Sequence, residues 1–524
     1  MKTHRLKTYL FTSLSAAAVC LLAGCTDKFE EYNKDPMGLT PEQMLGDNVL
    51  MGEKIKNISA VLVQGQQNDS QMLDQMVGAE YGGFVACVNH WGNAGNFYTY
   101  NPRINWVGIP FEKMMSQIYT SFFKIKEETG GKGLVYAWAQ LMRVVGALKL
   151  SDIYGPIPYS KVSKDSQQTA YDNMEDLYNH LFADLDAAVE VITTAVKAGE
   201  DFSSLKDFDY VYQGDFGKWV KFANTLKLRM ALRLVNVRPE LAEKKAAEAL
   251  SHTLGLMTEV DDSAWSSFND GMNPFYRAIF TWNGGEMVAS ANLTSYLQGY
   301  NDPRLTKYLA SPENGFTGYA GVRNGIYHTQ SSFATYQKYT KPNIGQDDKQ
   351  LIMSVAEAYF LRAEYALRYD KGDAKTLYEK GVQLSMAERG ASIGNYLSET
   401  NGAANYVDPR NSSYNAAAPT AVSPRYNPSA AMDENLERIM IQKWLASFPN
   451  GWEAWADYRR TGYPKHFPVV DNRSTEGVMA DRGMRRLPYP ESERNTNKAN
   501  YDAAVALLDG PDTGATELWW AKRY

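Results

Sequence analysis

The sequence predicts a mainly α-helical fold, and three observations carry that expectation. Apolar residues recur at spacings of three and four along several stretches, one pair of stretches has the size of a tetratricopeptide hairpin, and alternating strand patterns are sparse. Beyond Ile352, the residues Val355, Ala356, Tyr359, Phe360, Ala363 and Leu367 share one helical face. Lys371-Gly372-Asp373 interrupts it, with Gly372 suited to a left-handed C-terminal cap and Asp373 to capping a second arm through Leu377, Gly381 and Leu384. Further scaffold helices are expected from Leu134 to Leu148, from Met174 to Val189 and from Trp219 to Met230. These units are degenerate and unequally spaced, which predicts a compact domain with a few packed helical pairs rather than a regular solenoid.

The chain has 524 residues, 44% of them hydrophobic, so material for a large core is ample. Its only long apolar run is N-terminal: Lys2, Arg5 and Lys7 precede Tyr9 to Gly24, which is too short to span a bilayer and ends in L-L-A-G-C. Small Ala23 and Gly24 before Cys25 resemble a bacterial lipobox, in which the thiol is acylated and cleavage leaves cysteine first. The alternative is an ordinary cleaved signal with an incidental cysteine. The expected organisation is a lipoprotein signal peptide over 1–24, a lipidated tether over 25–43 and a single domain over 44–524. Asp27, Glu30 and Glu31 in the tether resemble the surface-export signal of Bacteroidetes lipoproteins, although a solvated linker would look the same.

Loss of Lys2, Arg5 and Lys7 with the leader makes the formal charge of −6 more negative still, which argues against a nucleic-acid partner held by phosphate contacts. Cys20 falls in the leader and Cys25 would be lipidated, leaving Cys87 without a disulfide partner. In Phe84-Val85-Ala86-Cys87-Val88 it reads as a small buried hydrophobe.

Motifs for serine hydrolysis, phosphate loops, zinc helices and dinucleotide binding are missing, and the six histidines are scattered. No cofactor is expected, and the sequence does not decide whether a metal ion is bound. A carboxylate pair for glycoside hydrolysis stays open, since such a pair is defined by its separation in space.

Three stretches interrupt the helices, at 89–110, 261–303 and 392–430. The first offers flat apolar faces at Trp91, Tyr98, Tyr100 and Trp106, with hydrogen-bonding amides at Asn93 and Asn96. The second offers Tyr276, Trp282 and Asn283 beside Gly284 and Gly285. Sugar rings need both kinds of partner: their C–H faces stack on aromatics, and their hydroxyls require hydrogen bonds once water is expelled. Extended peptides could use the same equipment, and the bland alternative is that these aromatics plug the loops onto the helices.

Several strings converge on one family. L-K-L-S-D-I-Y-G-P-I-P-Y-S from Leu148, V-A-E-A-Y-F-L-R-A-E from Val355, I-Q-K-W-L-A-S-F-P-N-G-W-E-A-W-A-D-Y-R-R-T-G-Y-P from Ile441 and R-L-P-Y-P-E-S-E from Arg486 resemble the SusD/RagB outer-membrane lipoproteins. F-E-E-Y-N-K-D-P after the lipobox and the closing E-L-W-W extend the resemblance over nearly the whole mature chain. It implies a mainly α SusD-like fold, with tetratricopeptide-like hairpins as scaffold and a loop-rich ligand-binding half. It also implies a lipid-anchored outer-membrane protein facing the cell exterior that captures oligosaccharides, or peptides, for a SusC-like TonB-dependent transporter and is not an enzyme. The rival reading is a lipid-anchored glycoside hydrolase on a helical scaffold. The matching strings themselves read as structural: Trp444, Trp452, Glu453, Trp455, Asp457, Arg459 and Arg460 lie at helical spacings around Pro449-Asn450-Gly451 and suit a packed helix junction.

Overall fold

Long amphipathic stretches with polar caps make the scaffold of the protein. A computed structural model describes residues 49–91, 96–165, 168–268, 271–312 and 316–522, and Met51–Tyr524 group as one contact unit. The expected leader, Cys25 and the expected tether therefore lie outside the described residues, as does Asn93.

The principal helices are α1 (Ile109–Thr129), α2 (Gly133–Tyr154), α3 (Met174–Ala198), α4 (Phe216–Arg233), α5 (Pro239–Leu250), α6 (Ala291–Gly299), α7 (Val355–Tyr369), α8 (Ala374–Glu388), α9 (Met432–Ser447) and α10 (Gly451–Thr461). The expected helical stripes fall within α2, α3, α4, α7 and α8. Consecutive helices from α1 to α5 pack on one another, α7 pairs with α8 and rests on α4 and α5, and α9 packs on α7 and α10. Trp138 of α2 and Trp219 of α4 are fully buried between the helices, with ring centroids 5.8 Å apart.

Polar caps start these helices where the sequence places them. Asn173, Asp215, Ser354 and Asp373 each accept a backbone N–H from the first turn of the helix that follows. The end of α7 differs from the expectation: the left-handed cap is Asp370, two residues before Gly372. A short polar side chain tolerates that conformation, so the glycine is not required there. A second difference is α6, which sits inside a stretch read as loop and is started by Ser290, whose hydroxyl oxygen accepts Leu293 N–H.

Strands are short, as expected. β1 (Val85–Cys87) pairs antiparallel with β3 (Met287–Ala289), with Cys87 opposite Met287, and β2 (Ala264–Ser266) pairs antiparallel with β4 (Gln350–Met353). Cys87 is free and buried. The 392–430 excursion is anchored rather than loose, because Tyr396 and Tyr406 are buried and Tyr396 donates its hydroxyl to Asp302, 2.6 Å away.

Beneath the helices lies a buried network of charges. Arg229 forks onto Glu357 at 2.7 and 2.8 Å, Arg233 bonds Glu453 at 2.7 Å and Asp152 at 3.3 Å, and Lys443 bonds Glu453 and Asp457 at 2.7 and 2.6 Å. Arg460 forks onto Glu364 and also reaches Asp457 at 3.0 Å. The spacings Arg229/Arg233, Glu453/Asp457 and Asp457/Arg460 put each pair on one helix face, so α2, α4, α7, α9 and α10 all meet at this network. The junction residues of the 441–464 string thus serve the structure, and Trp452, Trp455 and Trp444 are buried with them.

The turn between α9 and α10 brings backbones into contact. A π-helix, Gln71–Ala79, packs against α10, and a Cβ on Gly451 would stand 2.1 Å from the carbonyl carbon of Gly78. Trp452 seals the contact by donating its indole N–H to Asp74 at 2.7 Å.

Two predictions follow from this packing. Gly451→Ala forces the π-helix away from α10 and should lower stability by about 3 kcal/mol, read as a lower denaturant midpoint at unchanged slope. Burial alone would raise the Glu364 carboxyl, but the Arg460 and Arg368 guanidiniums overcome it and hold the group at about 2 against an ordinary 4.5. A depressed carboxylate stabilises the fold above its unfolded value, so its contribution should be intact above pH 4.5 and lost as pH falls toward 2, a change of about 3 kcal/mol. Glu364→Gln should flatten that part of the acid-unfolding profile.

Candidate functional site

Antiparallel pairing of β1 with β3 decides where the two aromatic loops lie. The chain leaving β1 at Cys87 enters the first loop, and the chain entering β3 at Met287 has just left the second, so the loops emerge side by side. Val88 N–H donates to Glu286 O at 2.8 Å and extends the pairing to the loop bases.

Glu286 joins the loops directly. Its side chain is buried, and it accepts hydrogen bonds from Asn89 of the first loop at 2.5 Å, from Asn283 of the second and from Gln71 of the π-helix. Burial pushes its carboxyl above the usual carboxylate range, opposed by hydrogen bonds from the Asn283, Asn89, Gln71 and Trp91 side chains. Its hydrogen-bond donors among the described residues are neutral, three amides drawn from three segments and the Trp91 indole.

The first loop is shaped by its own amides. Asn89 Oδ1 accepts Trp91 N–H at 3.1 Å, while Asn96 Oδ1 accepts the Thr99 backbone N–H at 2.9 Å and its hydroxyl at 2.8 Å, closing a turn bridged between Asn96 and Asn101. Arg103 Nη2 donates to Trp91 O at 2.8 Å, and the guanidinium lies 4.9 Å from the centre of the Trp106 ring. Trp91 and Trp106 meet edge to face with centroids 6.0 Å apart, and both stay partly exposed. Trp91 has φ 28°, in the left-handed region that a bulky side chain rarely occupies.

The second loop is a tight turn on the other side of Glu286. Asn283 has φ 49° and is exposed, Trp282 is partly exposed, and Gln337 Nε2 donates to Asn283 O and Gly285 O at 3.1 and 2.8 Å. Gly285 has φ 106°, and a Cβ there would stand 2.4 Å from Ile279 O, so only glycine closes the turn. Tyr276 is partly buried against Phe280, with centroids 5.1 Å apart.

Not every residue expected to meet ligand is placed to do so. Asn96 and Tyr98 are buried, the former holding its own turn and the latter donating its hydroxyl to Asn89 O at 3.0 Å, so both build the loop. Tyr100 is partly buried, 6.1 Å from Tyr81 between centroids and close to Gly483, and keeps some exposure. Trp91, Trp106, Tyr276, Trp282 and Asn283 keep solvent-accessible surface, and Arg103, exposed beside Trp106, joins them. Glu286, Gln71 and Gln337 were missed by sequence reasoning. Glu286 precedes an apolar strand as a lone acid, Gln71 lies in a helix, and Gln337 is remote in the chain. No spacing ties them together.

No group of three His, Cys, Asp or Glu side chains gathers to hold a metal ion among the described residues. No helix of the described residues is long and apolar enough to cross a membrane.

Residues 31–521 match the family model described as SusD-like, the SusD and RagB outer membrane lipoproteins. No curated protein matches the chain. A SusD-like protein from Bacteroides thetaiotaomicron is similar at 37% identity and a TM-score of 0.85, over 90% of this chain and 98% of that one. A SusD homologue from Bacteroides uniformis shares 35% identity at a TM-score of 0.85, over 90% and 99% of the two chains. A chitin-binding SusD homologue from Flavobacterium johnsoniae shares 34% identity at 0.86, over 91% and 99%. The chain belongs to the SusD-like family of SusD and RagB outer-membrane lipoproteins, and its helical scaffold is the fold of those homologues.

Proposed function

We propose that this protein is a cell-surface nutrient-binding lipoprotein, anchored through acylated Cys25, that captures an oligosaccharide on its paired aromatic loops. It passes the cargo to a SusC-like TonB-dependent transporter in the outer membrane. The observation that supports the ligand site is the meeting of the two loops on Glu286, which joins the loop that carries Trp91, Trp106 and Arg103 to the turn that carries Trp282 and Asn283, all five with solvent-accessible surface. Stacking faces and hydrogen-bond donors held on one rigid base are what a sugar ring requires. The left-handed Trp91 adds support, because backbone strain of this kind is retained where surrounding structure and function hold it.

Carriage is favoured over hydrolysis by the state of Glu286. Both of its oxygens accept amide hydrogen bonds and its side chain is buried, so it supports the loops rather than meeting a glycosidic oxygen. The chitin-binding relative makes N-acetylglucosamine oligosaccharides the first panel to test, with other glycans and peptides as the second.

Calorimetric titration of the purified protein should show binding of an oligosaccharide that is recovered at its original length. Trp91→Ala and Trp282→Ala should each weaken that binding about tenfold or more while leaving the thermal transition in place. Shortened products would establish the hydrolase instead, and unchanged affinity in both variants would move the site elsewhere. Glu286→Ala should weaken binding as much as either tryptophan variant, since it releases both loops, and circular dichroism should show the helices intact.

A further inference from the structure

A second cavity lies at the far end of α10, built from residues that belong to neither aromatic loop. It has a volume of about 560 Å³, within the range of small-ligand sites, and Tyr458, Arg459, Arg482, Arg485 and Lys522 line it. Asp481 and Glu517 are its acidic residues, so the lining carries two more positive charges than negative.

Arg459 is the informative group. Its side chain is 2% exposed, yet it makes no ion pair among the described residues. Nε donates to Trp455 O at 3.2 Å, Nη1 donates to Asp152 O and Arg485 O, and the guanidinium lies 3.6 Å from the centre of the Trp455 ring. Nη2 has no hydrogen-bond partner among the described residues. Burial, with the nearby Arg485 and Arg233 charges, outweighs Asp152 and Glu517 and pushes the group well below the ordinary arginine value. A desolvated guanidinium without a counter-ion is stabilised by any anion that can reach it.

The neighbouring cations leave that role open. Glu517 is shared between Arg482 and Arg485, whose Nε bonds it at 2.9 Å, and Lys522 is engaged by Asp509 at 2.5 Å. Arg485 Nη2 donates to Arg459 O at 2.9 Å and Arg459 Nη1 to Arg485 O at 3.0 Å, so each guanidinium is tied to the other residue's backbone. Paired arginine edges suit the oxygens of a carboxylate or a sulfate, whereas a neutral hydroxyl offers them no charge. Tyr458 adds a partly buried aromatic wall, and exposed Asp481 adds an acceptor for hydroxyl groups.

We propose that this cavity binds the oxyanion of an acidic saccharide, a uronate or a sulfate ester, with Arg459 Nη2, Arg482 and Arg485 on the charged group. The need for an oxyanion stands on the cavity alone, and its delivery by a saccharide rests on the proposed function. Titration of the purified protein with a uronate-bearing disaccharide, a sulfated disaccharide, their neutral counterpart and inorganic sulfate tests it.

One of the acidic disaccharides should bind, and the neutral one should not bind at this cavity. The affinity should fall about tenfold or more in Arg482→Glu, as for loss of a charge-assisted contact, and should survive Trp282→Ala. Arg482 is exposed, so its replacement leaves the fold intact, and binding of the neutral oligosaccharide carried by the loops is the control. Absence of binding by either acidic sugar overturns the proposal. So does inorganic sulfate binding as tightly as the sugars, which makes the cavity a small-ion site. Acidic-sugar binding that is lost in Trp282→Ala and kept in Arg482→Glu overturns it too, while leaving the aromatic loops as the receptor site.

Discussion

Five helices of this protein converge on charges withdrawn from water, and that convergence is the constraint from which the rest of the structure follows. Arg229, Arg233, Lys443 and Arg460 are buried against Glu357, Glu364, Glu453, Asp457 and Asp152, and each cation is hydrogen-bonded to at least one carboxylate. Ions in such a place are tolerated only when geometry satisfies them, because removing one partner strands the other in a medium that cannot solvate it. The helices are consequently fixed in register and angle more narrowly than apolar packing would demand.

That frame reaches the aromatic loops through one short route. Glu453, Asp457 and Arg460 belong to α10, and α10 holds the π-helix through Gly451 and the Trp452–Asp74 hydrogen bond. The π-helix in turn presents Gln71 to Glu286, where Asn89 and Asn283 arrive from the loops. Irregular helices of this kind recur near functional sites because the extra residue per turn re-aims side chains. Here the re-aimed side chain is an amide that anchors a carboxylate.

Much of the scaffold was legible in the sequence because helical periodicity and capping are local signals. Ser354 and Asp373 act as caps where their spacing from the apolar stripes placed them, and the structural reading of the 441–464 string holds because Lys443, Glu453, Asp457 and Arg460 find buried partners of opposite charge. Asp370 rather than Gly372 closes α7, since either residue satisfies the left-handed geometry and the local pattern cannot choose between them. The aromatic loops could be named from composition, but composition does not report direction: Trp91 and Trp106 keep exposure while Tyr98, equally aromatic, turns inward. Glu286 was invisible for a stronger reason. Its importance comes from Gln71 and Asn89, each about two hundred positions away in the chain, and only the pairing of β1 with β3 makes them neighbours.

The seating of both loops on Glu286 separates two properties that proteins often have to trade against each other. Presentation of surface belongs to the tips, where Asn283 and Arg103 are open to solvent and Trp282 is partly so, while foldability resides in the bases, where Gln71, Asn89, Asn283 and Trp91 converge on Glu286. Exchange of the outermost side chains, such as Trp282 and Arg103, leaves the buried Glu286 anchor in place, so the exposed surface can vary without unseating either loop.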